Sequence, residues 1–249
     1  SMEVLKDAAS ASIYGAQAAN GVIIITTKRA KSGEARVTFD ATLTMQTYNS
    51  GLDLLDSYQW GEVYWSAYKY AHNGATPSSA VYGNGATPVL QTYKNLNGVD
   101  VLPQSTDWEK EIHRTALMQT YSVGLSKGAE NGSSSLSLSW LNHDGIVKGS
   151  DFQRINTRFS SDYGFLGIRL TAGGNIAVNW WKAHYMPDGA EENAVKQHPA
   201  KAVYDADGVY VDQINDILGD APNMMRLINN NKSNNHEYWR VFGNAYLQI

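Results

Sequence analysis

Few residues in this chain are spaced for chemistry. Six histidines, at positions 72, 113, 143, 184, 198 and 236, lack the paired spacing of a zinc site. Cys is absent, which removes disulfides, thiolate metal sites and cysteine nucleophiles. Asp205-Ala206-Asp207-Gly208 looks superficially like a calcium loop. Its glycine comes too early and the closing bidentate Glu is missing, so a β-turn is the expectation. His113 near Glu109 and Glu111 fits an acid–base dyad, and equally a solvated helical turn. Asp144-Gly145 is a turn signal. Gly83-Asn84-Gly85 and Gly173-Gly174 do not lead from a strand into a helix, so no nucleotide site is supported. No residue is given a catalytic role, and neither a metal nor a cofactor is expected.

The aromatic residues offer recognition instead of catalysis. Trp60, Tyr64, Trp65, Tyr68 and Tyr70 lie close together in one segment. They read either as a stacking surface for sugar rings or as packing, because aromatic side chains dominate interfaces and cores alike. Trp180 and Trp181 adjoin at the end of a strand-like run, where a ligand contact competes with an aromatic girdle at a membrane interface. Tyr48, Trp140 and Trp239 invite the same girdle reading.

Six alternating segments must position these side chains. In 37–46, Val37, Phe39, Ala41, Leu43 and Met45 oppose Thr38, Asp40, Thr42, Thr44 and Gln46. The same period of two recurs in 119–126, 134–141, 154–162, 168–179 and 239–249. Asp40, Arg154, Arg158, Asp162, Arg169 and Arg240 all fall on the polar side. Links 127–133 and 163–167 are short, 142–153 is intermediate, and the connections over about 50–118 and 180–238 are long. Outer-membrane barrels show this asymmetry, with tight turns at one end and long loops at the other. The expected strand length of about 8–12 residues suits a tilted bilayer crossing better than an ordinary soluble strand.

Around the sheet, Met2–Ser12 has the apolar spacing of a short helix, and Val22–Thr27 reads as a strand buried on both faces. Residues 29–33 form a basic connector. A helix is expected over about 56–72, ended by Asn73-Gly74, with an irregular Gly/Ser/Thr/Pro stretch over 74–88 and a helical turn over 107–113. No run approaches the roughly 20 apolar residues of a spanning helix, and the first residues show no signal-peptide pattern. The formal net charge of −4 leaves no surplus of positive charge for a nucleic-acid partner.

Long motifs then carry a resemblance. Met2-Glu3-Val4-Leu5-Lys6-Asp7-Ala8-Ala9-Ser10-Ala11-Ser12-Ile13-Tyr14-Gly15 and Ala18-Ala19-Asn20-Gly21-Val22-Ile23-Ile24-Ile25-Thr26-Thr27-Lys28 resemble the end of the plug domain of TonB-dependent transporters, the SusC/RagA branch in particular. Further matches are Thr106-Asp107-Trp108 with Glu111 and Arg114-Thr115-Ala116, Gly145-Ile146-Val147 with Gly149-Ser150-Asp151 and Arg154, Pro199 with Val203-Tyr204-Asp205 and Asp207-Gly208, and Phe242-Gly243-Asn244-Ala245-Tyr246-Leu247.

The resemblance implies a mostly β, antiparallel, up-and-down transmembrane barrel of about 22 strands with a plugged lumen. Residues 1–29 would be the C-terminal part of an α+β plug, with Glu3, Lys6, Asp7, Tyr14, Gly15, Asn20 and Gly21 in its motif. Residues 30–249 would be the first six barrel strands, with extracellular loops at about 50–118 and 180–238. The implied location is the outer membrane of a Gram-negative bacterium, in contact with lipid. The implied activity is import of an oligosaccharide or peptide under a SusD-like lipoprotein cap, driven by TonB–ExbB–ExbD. In that setting Trp60, Tyr64, Trp65, Tyr68, Trp180 and Trp181 are the candidate ligand or partner contacts. The rival readings are a soluble carbohydrate-binding β-sheet module and, less suited to the residues, a glycoside hydrolase with two convergent carboxylates.

Overall fold

The computed structural model describes residues 2–7, 9, 12–18, 20–25, 32–165, 169–211, 218–219 and 221–249. Its centre is one antiparallel sheet of six long strands: β3 (Arg36–Gln46), β6 (Ala116–Ala129), β7 (Gly132–Asp144), β8 (Asp151–Phe165), β9 (Leu170–His184) and β10 (Asn235–Gln248). They lie side by side in chain order, β3-β6-β7-β8-β9-β10. The strands run 11–15 residues, longer than the alternation marks out, because ladder pairing continues past the last apolar residue into Ser, Asn and charged positions.

Register aligns the alternation of every strand. One cross-strand row is Phe39, Val123, Leu138, Thr157, Val178 and Val241; the next is Val37, Leu125, Leu136, Phe159, Ile176 and Gly243. These side chains cover no core: Phe39 is 66% exposed, Ile176 46% and Val241 62%. A one-residue slip would send every apolar side chain to the opposite face, so register and greasy face are one specification.

On β7–β10 the apolar band has a sharp upper edge, while on β3 it runs on through Leu43 and Met45. Tyr121, Trp140, Ile155, Trp180 and Trp239 form one row, and the row beyond it is Gln119, Asn142, Gln153, Lys182 and Glu237. From Ile155 down to Tyr163 is eight residues of β8. At about 3.4 Å per residue and roughly 40° of tilt, that spans about 20 Å along a bilayer normal, close to the ~25 Å band of a barrel exterior. Among the described residues no helix is long and apolar enough to cross a membrane, which says nothing of strands.

The chain start departs from expectation. Residues 2–5 are not helical but form strand β1 (Met2–Leu5), paired antiparallel with β2 (Val22–Ile25). The apolar spacing of 2–9 fits either state, and partnership with a β-branched strand selects the extended one. Nor is β2 buried on both faces, since Ile23 is 59% exposed. Thr26, Thr27 and most of the expected basic connector fall outside the described residues.

Buried side chains gather in the loops. Segment 47–115 holds α1 (Ser57–Ala71), the short strands β4 (Tyr93–Lys94) and β5 (Asp100–Val101), and α2 (Trp108–Ile112). Asp56 caps α1 with a capping box to Gln59, and Asn73 and Gly74, both at positive φ, end it. Segment 185–234 holds α3 (Ala190–Lys196) and α4 (Met224–Asn230), two helices that sequence periodicity did not mark. One apolar cluster joins Trp65, Val81, Tyr82, Tyr93 and Val101 to Ala200, Ala202, Val211 and Leu218. Another joins Trp108 and Ile112 to Val147 of the β7–β8 loop and to Ala190, Ala194, Val203, Met224 and Ile228. Three loops from the same end of the sheet therefore fold together as a roof with its own core.

Candidate functional site: the loop roof and the strand ends beneath it

The roof is tied together by residues far apart in sequence. Trp108 Nε1 donates to the carbonyl of His198 at 3.3 Å, and Thr106 Oγ1 to that of Lys201 at 2.8 Å. The Arg114 guanidinium donates to the carbonyls of Gly145 and Ser150, both at 2.9 Å. Asn223 Nδ2 bridges the carbonyls of Val203 and Val211. Asp205 nucleates a tight turn, accepting from the backbone N–H of Asp207 and Val209, and Asn95 Nδ2 donates to it at 2.8 Å. The expected turn is present, and among the described residues no cluster of three His, Cys, Asp or Glu could hold a metal.

A cavity of about 670 Å3 opens within this roof, between its two long segments, bordered by Leu54, Asp56, Trp60, Glu109, Gln197 and His198 among others. Trp60 is the aromatic wall of the cavity. It stacks on Tyr64 at 5.3 Å between centroids and packs at 3.9 Å against the His198 ring. Trp65, five residues on and about 140° around the helix from Trp60, is buried, donates from Nε1 to the Gly85 carbonyl at 3.1 Å and lies edge-on to Tyr82. Tyr68 is half-buried and stacks on His72 at 4.0 Å, while Tyr70 is 92% exposed. The first-loop aromatics thus divide along α1 into a core anchor, a cavity wall and a surface residue.

At the cavity floor, Glu109 is buried and fully engaged. Tyr48 and Ser50 each donate a hydroxyl to its carboxylate at 2.6 Å. The His113 ring stacks flat on Tyr48 at 3.5 Å, and its Nδ1 meets the Glu109 carbonyl at 2.6 Å. A carbonyl only accepts, so Nδ1 carries the proton. Hydrogen bonding to Glu109 holds the Tyr48 phenol above its ordinary pKa. His113 is therefore buried and not in a solvated turn, its Nδ1 on the Glu109 backbone rather than the carboxylate and its Nε2 3.8 Å from Glu191, and it anchors the exit of β3 to α2. Tyr48, expected in a girdle, is likewise a roof anchor, because the ladder of β3 stops at Gln46. Nothing in the spacing of Tyr48, Ser50 and Glu109 announces this contact.

Trp180 and Trp181 separate. Trp180 joins Trp140 and Trp239 in the aromatic row and donates to Glu237 at 2.6 Å. Trp181 points to the opposite face and stacks on Tyr238 at 4.5 Å, with planes 19° apart. Adjacent strand residues must face opposite ways, so one girdle could never have held both. In the amino-terminal motif, Glu3 lies on β1 opposite Ile24 and is exposed, as are Lys6 and Asp7. Tyr14 is half exposed, Gly15 takes φ 70°, and Asn20-Gly21 makes the turn into β2.

No protein-family model matches the chain. "TonB-dependent receptor SusC" of Bacteroides thetaiotaomicron is 29% identical over 84% of this chain and 18% of its own length. "TonB-dependent receptor P3" of Formosa agariphila is 27% identical over 90% of this chain and 20% of its own length. The chain is thus similar in sequence to TonB-dependent receptors of the SusC type. It spans about a fifth of the length of these curated relatives. Among solved structures, the RagAB peptide importer in its closed-closed state matches with a TM-score of 0.68 at 21% identity, covering all of this chain and 30% of that one. The RagAB peptide transporter matches at 0.68 and 23%. The six-stranded sheet and its loops thus have the fold of a segment of a larger barrel. Those relatives are receptors and transporters.

Proposed function

We propose that this chain is the wall segment and loop roof of an outer-membrane importer of large nutrients. The observation that carries the proposal is the uncovered apolar band of the sheet, bounded by an aromatic row and backed by a polar face. A water-soluble module of this size would bury such a band, since contiguous exposed apolar patches of that extent mark contact with an apolar partner. Lipid is that partner, and the opposite face borders a hydrated lumen.

In this reading residues 1–29 end the plug and residues 30–249 are the first six barrel strands. The roof faces outside the cell, and the Trp60 cavity lies where substrate would arrive. Trp60, Tyr64, Tyr68 and Trp181 are the proposed ligand or partner contacts, Trp65 supports them from the core, and Trp180 belongs to the interface. A SusD-like lipoprotein would rest on the roof. TonB–ExbB–ExbD would pull on the plug, whose motif is Glu3, Lys6, Asp7, Tyr14, Gly15, Asn20 and Gly21. The cargo is an oligosaccharide or peptide, and no residue performs catalysis on it.

These 249 residues contain no Cys, so an introduced cysteine is the one thiol within this segment. Single cysteines at Phe159 or Val241, and at the neighbouring Ser160 or Asn244, are labelled with a charged maleimide in the intact receptor in native membranes. The apolar-face positions should stay unlabelled and the polar-face positions should react. Equal labelling of both sets overturns the assignment.

A further inference from the structure

The polar face of β8–β10 carries a pattern that neither the fold nor the loops require. Register sets nine residues into three rows: Arg154, Trp181 and Tyr238; then Asn156, Asn179 and Arg240; then Arg158, Ala177 and Phe242. Alternation places all nine on one face. Arg154, Arg158 and Arg240 are exposed, and none makes an ion pair among the described residues. The one carboxylate on this face of the three strands is Asp162, two rows below Arg158, and the Tyr246 hydroxyl donates to it across Gly173. Three arginines against one aspartate leave this face at +2, in a chain whose net charge is −4.

The geometry suits a particular ligand. Rows lie about 7 Å apart and strands about 4.8 Å apart, so the three guanidinium stems stand at the corners of a triangle with sides of roughly 10–14 Å. The Asn156 and Asn179 amides fill the space between them. Level with Arg154, the Tyr238 ring is 55% exposed and stacks face to face on Trp181, against which Phe152 tilts at 5.8 Å, so the far face of Tyr238 is the one left to a ligand. Arg240 is steadied over the Phe242 ring at 5.6 Å. Guanidinium groups recognise carboxylate and sulfate oxygens two at a time. The open face of Tyr238 can receive the apolar face of a sugar ring, and a triangle of this size spans two or three sugar units. A run of Asp and Glu in a peptide would supply the charge but no ring face for Tyr238.

We propose that this face is a binding site for an anionic oligosaccharide, with Arg154, Arg158 and Arg240 on its carboxylate or sulfate groups and Tyr238, backed by Trp181, against a sugar ring. The proposal rests on the import reading and narrows its substrate class. The intact receptor, purified in detergent, is applied to an array of uronate-bearing, sulfated and neutral glycans together with glutamate-rich peptides. Acidic glycans should be retained, with binding that falls as salt rises, and their neutral counterparts should bind on the order of tenfold more weakly. Joint Arg154→Gln, Arg158→Gln and Arg240→Gln should weaken acidic-glycan binding by about tenfold or more. Lysine at the same three positions should recover part of the loss, because charge returns without the bidentate fork.

Trp181→Ala should weaken binding while the three arginines remain, which keeps the test alive should the triple glutamine variant fold poorly. Wild-type binding by the triple variant, equal retention of neutral glycans, retention of peptides alone, or retention of no acidic glycan overturns the site. So does a triple variant that is less stable but binds normally, since the plug would then be what the arginines hold. Uptake in cells separates the two readings. TonB-dependent import of an acidic glycan that survives the triple variant unchanged leaves import standing and removes this site. Loss of all import function in the wild type removes the import reading itself.

Discussion

Ile176 is where the membrane argument is most exposed to refutation. It lies four residues below Trp180 in the aromatic row and four above Ala172, which pairs with Tyr163 and Leu247 at the lower end of the band. At about 3.4 Å per residue it is roughly 14 Å along the strand from either edge, hence close to the bilayer midplane. Ile176→Arg would place a guanidinium in hydrocarbon at a cost of about 2–4 kcal/mol. At ~1.4 kcal/mol per tenfold, this lowers the folded-to-unfolded ratio by roughly 30- to 700-fold. The adjacent Asn175 faces the other way and already donates to Asn244 at 2.7 Å. Asn175→Arg should cost about 0.5 kcal/mol or less, in the range of changes at a wet surface. The natural Lys182, one row above Trp180, shows where a cation is tolerated on the outer face. The assay is denaturant unfolding of the intact receptor in lipid vesicles, with the folded fraction read from gel mobility. Equal losses in the two variants, or none at Ile176, would refute the assignment of the apolar face to lipid.

The roof and strand contacts make further predictions. Trp65→Ala should destabilise the roof by about 3–5 kcal/mol, seen as early proteolysis within segments 47–115 and 185–234, whereas Trp60→Ala should leave proteolysis unchanged and alter capture of ligand or lipoprotein. Gly173→Ala puts a Cβ at 2.6 Å from both Asp162 Oδ1 and the Tyr246 ring, so it should cost about 1–3 kcal/mol and reduce barrel unfolding resistance in the same gel assay. Burial pushes the Tyr93 phenol up to about 12 and raises that of Tyr82 as well. Each folded-state pKa lies above the unfolded value near 10, so this stability is intact below about pH 10 and is lost as pH rises towards the folded values. Ultraviolet difference absorbance should show tyrosinate appearing together with roof unfolding, and appearance of all tyrosinate near pH 10 with the roof intact would contradict the burial described.

The strands and the face each side chain takes were legible in the sequence. Period-two alternation is a local property: once Val37, Phe39, Leu43 and Met45 occupy odd positions, any extended ladder puts them together. The same parity separates Trp180 from Trp181, a distinction available from numbering alone once the strand runs through both. A capped helix such as α1 also announces itself, through Asp56 before it and Asn73-Gly74 after it. Helix α4 had a comparable signal, Asn223 ahead of Met224, Leu227 and Ile228, with the Asn side chain accepting from the Met225 and Arg226 backbone N–H.

Other features needed partners distant in the chain. Met2–Leu5 has helical apolar spacing and becomes a strand only because Val22–Ile25 pairs with it. Tyr48 and His113 become an anchor through Glu109, 61 residues beyond Tyr48. By itself, then, the sequence determined which residues alternate, which aromatics were available for recognition, and the family it resembles, because backbone geometry and motif wording act over short range. Tertiary structure alone decided that the long loops fold into one roof around Trp65 and Trp108, and that three arginines from two strands, β8 and β10, share a single face. Contacts across a hundred residues depend on register and on joint burial, which no local pattern encodes.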